Sequence, residues 1–321
     1  MPQRFDLPRI VLVTRKTPLE LLLERHSTTG QVRFYLESKG QRLDLYAEGQ
    51  ARQDDAMTII LRAIPPERPR TRLDRSDIDR FVFNPDDMLV VVGQDGLVPN
   101  VAKYLDGQLT IGINPDPSRS DGLLCAHPPT AIVDILAWAQ RRDSRFVVQR
   151  RVMALASRED GQTLRALNEI YLGSRTHQSA RYVLHAGERE ERQSSSGILV
   201  GTGTGSTGWC RSLAQQLGLE ARLPQPEERR LVWFVREPWP SRTTGTDLTF
   251  GELTEGQELV VTSELGENGV IFADGIETDW LDFLDGQTVR ITIAPSELHL
   301  VVPAGRLAPE SGSETPRPSG P

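Results

Sequence analysis

The order of strand-like and helix-like segments changes half-way along the chain, and this change constrains the fold most. In the first half, strand-like runs at 9–14, apolar from Ile10 to Val13, and at 88–92, apolar throughout, are separated by segments with helical spacing, including 19–25 and 31–38. A run as apolar as 88–92 is typical of a central strand in a parallel sheet. Strands that alternate with helices predict an α/β unit in which helices cover a parallel sheet.

Further segments complete the prediction for this half. The runs 57–63 and 109–113 indicate strands. Pro99 is expected in the first turn of a helix that ends at Leu105, because proline fits the start of a helix. The spacing of apolar residues over 129–141 indicates an amphipathic helix.

The second half is a succession of strands joined by glycine, proline and polar residues, which predicts a largely β domain. The predicted strands are 146–156, 182–185, 198–200, 231–235, 258–262, 270–273 and 289–293. We place an α/β N-terminal domain at 1–143 and a β-rich C-terminal domain at 144–304. The segment 305–321 is rich in Pro, Ser and Gly, and we predict that it is disordered.

Composition and charge argue against several classes of function. The formal net charge of −7 is unlike that of a general nucleic-acid binder, which is usually basic. No apolar run approaches the ~20 residues of a membrane span. The N-terminus shows neither a secretory signal nor a targeting presequence, so we expect a cytoplasmic protein. Cys125 and Cys210 are far apart and lack metal-ligand spacing, so we expect reduced core thiols and no metal site.

A glycine-rich segment lies between a predicted strand and a helix-like segment. It reads Gly-Thr-Gly-Thr-Gly-Ser-Thr-Gly from Gly201 to Gly208. Glycine lets the backbone approach a ligand that a Cβ atom would keep away, and hydroxyl groups can donate to ribose or phosphate oxygens. Such a turn is typical of nucleotide sites, although glycine-rich turns also serve as plain chain reversals.

Asp95 stands between Gln94 and Gly96, directly after the apolar run 88–92. It therefore lies at the carboxyl end of a parallel strand, where α/β sheets bind their ligands. The carboxylate could position a substrate hydroxyl or accept its proton. Taken alone, the segment also fits an ordinary Asp-Gly turn.

Two other pairs have both a functional and a structural interpretation. Asn168 offers donors and an acceptor, and Glu169 offers acceptors suited to a ribose diol. An isolated Asn-Glu pair is more often solvated or at a helix cap. Asp274 and Gly275 fit a tight hairpin turn.

These segments, in this order and spacing, resemble the NAD kinase family, most closely its mitochondrial-type branch. The resemblance extends from about residue 10 to residue 303 and is patchy before residue 85. No single motif carries it, but the ordered set is specific. The matching segments are 22–26, 93–97, 111–122, 166–169, 195–197, 202–206, 236–238 and 274–275.

The resemblance implies transfer of the γ-phosphoryl group of ATP to the 2′-hydroxyl of the adenosine ribose of NAD, giving NADP. It implies that Asp95 orients or deprotonates this hydroxyl, and that backbone amides at Gly93 and Gly96 approach the phosphates. The residues implied in NAD binding are Asn168, Glu169, Thr202, Thr204, Ser206, Thr207 and Gly208.

The family architecture implies a nucleotide-binding α/β domain, a β-rich dinucleotide-binding domain and a site between them. Phosphoryl transfer needs charge neutralisation, so Mg²⁺ is expected with ATP, without a tightly bound cofactor. Family members are usually dimers or larger. The expected partners are therefore NAD, ATP and further copies of the chain, without nucleic acid or membrane.

The chain departs from the family where the usual motif is Gly-Gly-Asp-Gly-Thr. Gln94 adds a side chain, which would cost about 1 kcal/mol or more if its φ were positive. Leu97 lacks a hydroxyl at the mouth of the following helix, and losing a cap costs roughly 1 kcal/mol unless the helix begins at Pro99. These departures motivate a second hypothesis, a catalytically weak NAD(P)-binding sensor or regulatory relative.

Two further classes of enzyme share part of this pattern. Gly203, Gly205 and Gly208 match the spacing of a dinucleotide-binding fingerprint, with Glu227 downstream, which would suit an oxidoreductase. Prolines at 224 and 226 interrupt the βαβ unit that this fingerprint requires. A lipid or sugar kinase could share the Asp-Gly motif, but the pair at 168–169 and the run 202–206 favour a dinucleotide kinase. A P-loop with Gly-Lys-Ser/Thr is absent from the sequence.

Overall fold

The computed structural model describes residues 8–119, 122–141 and 144–305. The predicted disordered tail lies outside the described residues from position 306 onward. The α-helices are α1 (Pro18–His26), α2 (Thr29–Ser38), α3 (Leu43–Ala63), α4 (Leu97–Ala102), α5 (Ile132–Arg141) and α6 (Trp209–Leu217). Short 3₁₀ segments cover Arg75–Arg80, Pro129–Ala131, Gly205–Thr207 and Glu220–Arg222.

The strands form three sheets. In chain order they are β1 (Ile10–Thr14), β2 (Arg70–Asp74), β3 (Met88–Val92), β4 (Leu109–Ile113), β5 (Phe146–Arg151), β6 (Ala154–Arg158), β7 (Thr163–Ala166), β8 (Glu169–Ser174), β9 (Ala180–Ala186), β10 (Arg189–Ser195), β11 (Ile198–Gly201), β12 (Arg230–Val235), β13 (Phe250–Thr254), β14 (Leu259–Ser263), β15 (Gly269–Ala273), β16 (Ile276–Asp282), β17 (Thr288–Ile293) and β18 (Leu298–Pro303). The first sheet has the spatial order β2-β1-β3-β4-β18-β5, and the others are β10-β9-β14-β17-β6-β7 and β13-β12-β11-β8-β15-β16.

The first sheet is the predicted parallel sheet covered by helices. Neighbouring strands from β2 to β18 pair in parallel, and β5 pairs antiparallel with β18 at the edge. Every residue of β1 and β3 is buried, as expected when helices cover both faces. Leu12 and Val90 pack with residues of α3 and α5, whereas Val11 and Val91 pack with residues of α4. The predicted α/β architecture is therefore confirmed.

The segment 57–63 is the last part of helix α3, so its prediction as a strand was wrong. Seven residues of mostly apolar sequence fit either a buried strand or one part of a buried helix. The burial follows helical spacing, because Ala56, Met57 and Ile60 form one buried face. Ile59 and Leu61 are 37% and 39% exposed. The segment is helical because it continues a helix that begins at Leu43 and packs on the first sheet.

The second half contains two antiparallel sheets packed face to face, which confirms the predicted β-rich domain. Their shared core joins Leu184 and Val261 of one sheet to Leu172 and Val200 of the other. Helix α6 covers the outer face of the third sheet. No helix of the described residues is long and apolar enough to cross a lipid bilayer.

The predicted strand 146–156 is two strands in different sheets. β5 lies in the first sheet and β6 in the second, and the chain passes between them at Val152 and Met153. β18 also returns to the first sheet, between β4 and β5. A division of the sequence at 143/144 therefore leaves two strands of the first sheet in the second segment. The limits 1–143 and 144–304 remain a prediction.

Candidate functional site

Asp95 follows β3 and fixes a neighbouring loop through its carboxylate. Its Oδ2 accepts the backbone N–H of Leu123 at 2.6 Å, and its Oδ1 accepts those of Leu124 and Cys125 at 2.9 and 2.8 Å. A carboxylate has about four acceptor positions, so one position on Oδ2 stays available. Asp95 can hold the loop 123–125 and still accept a hydrogen bond from a ligand hydroxyl.

The backbone beside Asp95 accommodates both departures from the family motif. Gln94 does not have a positive φ, and its Oε1 accepts a hydrogen bond from Nη2 of Arg15 at 2.6 Å. Leu97 is fully buried and is the first residue of α4, so the predicted helix from Pro99 to Leu105 had the wrong limits. An apolar side chain at 97 fills the core, where a hydroxyl would be buried.

The hydroxyl groups of the glycine-rich segment do not all face the same space. Thr202 is fully buried, and its Oγ1 donates to the carbonyl of Leu167 and accepts the backbone N–H of Thr204 at 3.1 Å. Ser206 donates from Oγ to the carbonyl of Thr202 at 3.2 Å. These contacts hold the turn together, so the hydroxyl groups of Thr202 and Ser206 are used within the protein.

Two glycines of this segment are required by contacts inside the protein. A Cβ atom at Gly203 would lie 1.9 Å from the carbonyl oxygen of Gln225. At Gly205 it would lie 2.2 Å from the carbonyl oxygen of Asn168. Gly208 differs, because its nearest neighbour would be 3.8 Å away. Gly203 and Gly205 therefore make room for other backbone, and Gly205 also lines the cleft described below. That these glycines let a ligand approach stays a prediction.

Asp274 and Gly275 form the turn between β15 and β16, with φ values of 56° and 68°. Two successive positive φ values are typical of a two-residue hairpin turn. The carboxylate of Asp274 also accepts the backbone N–H groups of Leu167, Asn168 and Glu169 at 3.1, 2.7 and 3.3 Å. Asp274 therefore fixes the segment that carries the Asn-Glu pair, much as Asp95 fixes its loop.

The pKa values of both carboxyl groups at this point are raised above their ordinary values. Burial raises the pKa of Glu169 to about 7, and the charge of Asp274 acts in the same direction. Burial also raises the pKa of Asp274, while its three backbone hydrogen bonds and the charge of Lys103 lower it. Glu169 can therefore change its charge near neutral pH.

A cleft of about 260 Å³ brings most of the predicted residues together. Those that line it are Asp95, Gly96, Asn168, Glu169, Thr204, Thr207 and Gly208. Gly93 lines a neighbouring cavity of about 420 Å³ with Gln94 and Arg15. Thr202 and Ser206 do not line the cleft. The carboxyl end of the first sheet thus meets the glycine-rich segment of the second half.

Sequence reasoning missed Arg151, a cationic residue of the cleft, and did not place Gln149 there. Arg151 is 8% exposed, whereas its neighbour Arg150 lies on the exposed side of the same strand. An Arg-Arg pair in a strand gives no sign of which residue faces inward unless the pairing of the strand is known. Trp209 also lines the cleft and stacks on Tyr171, with ring centroids 5.8 Å apart.

A divalent cation would find few protein ligands here. Within 8–119, 122–141 and 144–305, no group of three or more His, Cys, Asp or Glu residues could hold a metal ion. Three of the acceptor positions of Asp95 are occupied by backbone N–H groups. The described residues therefore offer no closed set of such ligands for a metal ion at this cleft.

Comparison with known proteins identifies the fold. No protein-family model matches the chain, and no curated protein matches it. Among solved structures, an NAD kinase from Archaeoglobus fulgidus in complex with ATP superposes with a TM-score of 0.54 and 19% identity, over 91% of this chain and 92% of that one. Yeast NADH kinase complexed with NADH superposes with a TM-score of 0.54 and 14% identity, over 92% and 84%.

The observations define a two-domain protein in which an α/β unit and a β-rich unit share a cleft. Its fold is that of the NAD kinases, which confirms the predicted resemblance to that family at the level of the fold. The closer likeness to the mitochondrial-type branch remains a prediction.

Proposed function

We propose that the chain is an NAD kinase that transfers the γ-phosphoryl group of ATP to the 2′-hydroxyl of the adenosine ribose of NAD. The observation that carries this proposal is the cleft, where Asp95 faces Asn168, Glu169 and the glycine-rich segment. The fold shared with an NAD kinase and an NADH kinase supports it. In the reaction, the bond from the ribose oxygen to Pγ forms, the bond from Pγ to the ADP oxygen breaks and ADP leaves, and the hydroxyl proton passes to the carboxylate of Asp95 and from there to water.

Each residue in the cleft receives a role from its position. Asp95 accepts the hydrogen bond of the 2′-hydroxyl at its remaining acceptor position, which orients the oxygen toward phosphorus. Asn168 and Glu169 hold the hydroxyls and base of the dinucleotide, since Asp274 fixes their backbone. The remaining contacts come from Thr204, Thr207, Gly208 beneath the adenine, and the backbone amide at Gly96. The backbone N–H of Gly93 already donates to the carbonyl of Ile113 at 3.0 Å, so the phosphate contact implied for it by the resemblance is not carried into this proposal. Thr202 and Ser206 act by stabilising the turn that carries these groups.

The proposal keeps the expected partners. Mg²⁺ enters with ATP and neutralises charge on its phosphates. We also propose that the protein forms a homodimer or larger assembly and acts in the cytoplasm. Light scattering of the purified protein measures the assembly directly.

The deciding experiment is NADP formation from NAD and Mg-ATP, detected with an NADP-specific dehydrogenase. Asp95→Asn should lower turnover by roughly 100-fold or more. Its amide would also turn N–H groups toward the backbone N–H groups of 123–125, so stability should fall by about 2 kcal/mol. Thermal unfolding and NAD binding show whether the variant is still folded and binds its substrate, so the loss of turnover can be separated from the loss of stability. Asp86→Asn, in an exposed turn before β3, is the matched control and should leave both unchanged.

A second candidate is the NAD(P)-binding sensor. It is favoured by Gln94, whose side chain is held by Arg15 in the cavity beside Gly93, where a donor phosphate would be expected. Calorimetric binding of NAD without turnover from ATP, another triphosphate or polyphosphate would favour the sensor. Turnover that is unchanged in Asp95→Asn would contradict the role given to Asp95.

A further inference from the structure

Arg151 is a buried cation without a carboxylate partner in the described part of the chain. It ends strand β5, is 8% exposed and lines the cleft with Asp95. Its Nη2 donates to Oε1 of Gln149 at 2.8 Å, and its Nη1 makes a long hydrogen bond of 3.4 Å to Oγ1 of Thr204. Its Nε–H has no partner among the described residues. Two of the five donors of the guanidinium group therefore have a partner among the described residues, and the side chain lines the cleft.

A buried charge without a counter-ion normally lowers the stability of the folded protein. Such a charge is retained where a ligand supplies the opposite charge. Burial lowers the pKa of Arg151 to about 10, against the opposing influence of Glu227 and Asp95. The group is still protonated at neutral pH. Glu227 and Asp95 act on it through their charge, but neither forms an ion pair or hydrogen bond with it among the described residues, so an anionic ligand can still bind its donors directly.

The surrounding residues also fix the direction of the guanidinium. Gln149 lies two residues earlier on the same strand, so both side chains project from the same face toward the cleft. Its carbonyl oxygen holds one arm of the guanidinium fork. A planar fork held in this way matches two oxygens of a phosphate better than a flexible lysine would.

We propose that Arg151 binds phosphate oxygens in the cleft and neutralises the charge of the phosphoryl group that is transferred beside Asp95. The transfer step rests on the proposed function, whereas the binding of a phosphate does not. Two sources could supply these oxygens: the phosphates of ATP and the diphosphate of the dinucleotide. Arg151 lies outside the motifs that carry the family resemblance, so this assignment comes from its burial and its unpaired Nε–H.

The test compares Arg151→Met, Arg151→Lys and the matched control Arg150→Met, whose side chain is exposed on the same strand. Titration calorimetry measures the binding of inorganic pyrophosphate, ADP and NAD to each variant. Arg151→Met should weaken binding of pyrophosphate at least tenfold, and Arg151→Lys should restore part of it. Arg150→Met should bind like the wild type. In the coupled assay, Arg151→Met should lose roughly 100-fold or more in turnover.

The pattern of losses identifies the source of the phosphate. Weaker binding of ADP with unchanged binding of NAD assigns Arg151 to the donor, and the reverse assigns it to the dinucleotide. Either result supports the proposal. Thermal unfolding provides an independent readout, because Arg151→Met without ligand should unfold at the same temperature as the wild type or higher.

The opposite results would contradict the proposed binding of phosphate by Arg151. Binding of all three probes at wild-type affinity by Arg151→Met would exclude a phosphate contact. A large drop in its unfolding temperature, which Arg151→Lys fails to restore, would assign Arg151 a structural role. If the wild type shows no turnover with any donor but binds pyrophosphate through Arg151, the proposed kinase activity fails and the phosphate site stands.

Discussion

Replacing Glu169 by glutamine should remove a pH dependence from the stability of the folded protein. Burial raises the pKa of Glu169 from its ordinary value of 4.5 to about 7. The folded state therefore binds this proton more tightly than the unfolded state. Stability is greatest below about pH 4.5 and falls as the pH rises toward 7, where the unfolded chain has already lost the proton. At ~1.4 kcal/mol per pH unit between the two pKa values, the penalty reaches about 3 kcal/mol above pH 7.

Glutamine keeps the shape of the side chain but cannot ionise. Urea unfolding of the wild type and Glu169→Gln at pH 5 and pH 8 measures the effect. The two proteins should differ little at pH 5, and the variant should be more stable by about 3 kcal/mol at pH 8. Glu188→Gln, in an exposed turn, is the control and should follow the wild type at both pH values. A difference between Glu169→Gln and the wild type that does not grow with pH would refute this reasoning.

Two further substitutions test the packing around the site. Gly205→Ala should lower stability by about 1 to 3 kcal/mol and weaken NAD binding, because its Cβ would meet the carbonyl oxygen of Asn168. Thermal unfolding measures the loss of stability, with Gly208→Ala as the control. Equal stability of the two variants would contradict the prediction. Leu97→Thr, alone or with Gln94→Gly, should lower stability by about 2 kcal/mol without improving the use of ATP, because Leu97 is a core residue. A gain in ATP turnover would instead show that Leu97 impairs catalysis.

The elements that could be predicted are those whose sequence pattern is local. The largely apolar runs of β1 and β3 and the short run of β4 appear as strands in the structure, and the change to a β-rich second half is also present. β10 was not predicted as a strand, because all of its residues are polar. Its inward-facing Gln193 and Ser195 are buried and pair with the hydroxyl of Tyr182, a partner that only the fold supplies.

The candidate site, like the fold, could be predicted only where the signal lies in the local sequence. Asp95, Asn168 and Glu169 were predicted from their motifs, and the structure brings them to one cleft. The close contacts that require Gly203 and Gly205 come from Gln225 and Asn168, which are distant in sequence. A pattern of alternating glycines cannot show whether the close neighbour is a ligand or another part of the chain.

The position of β18 makes the order of synthesis matter for folding. Leu298–Pro303 is inserted between β4 and β5, so the first sheet lacks an interior strand until residue 303 has left the ribosome. Before that point β4 and β5 present open edges, and open edges pair readily with other chains. A premature stop before residue 298 should therefore damage the α/β unit at the other end of the polypeptide. The first sheet is therefore completed only when β18 is available, although its first four strands lie within residues 10–113.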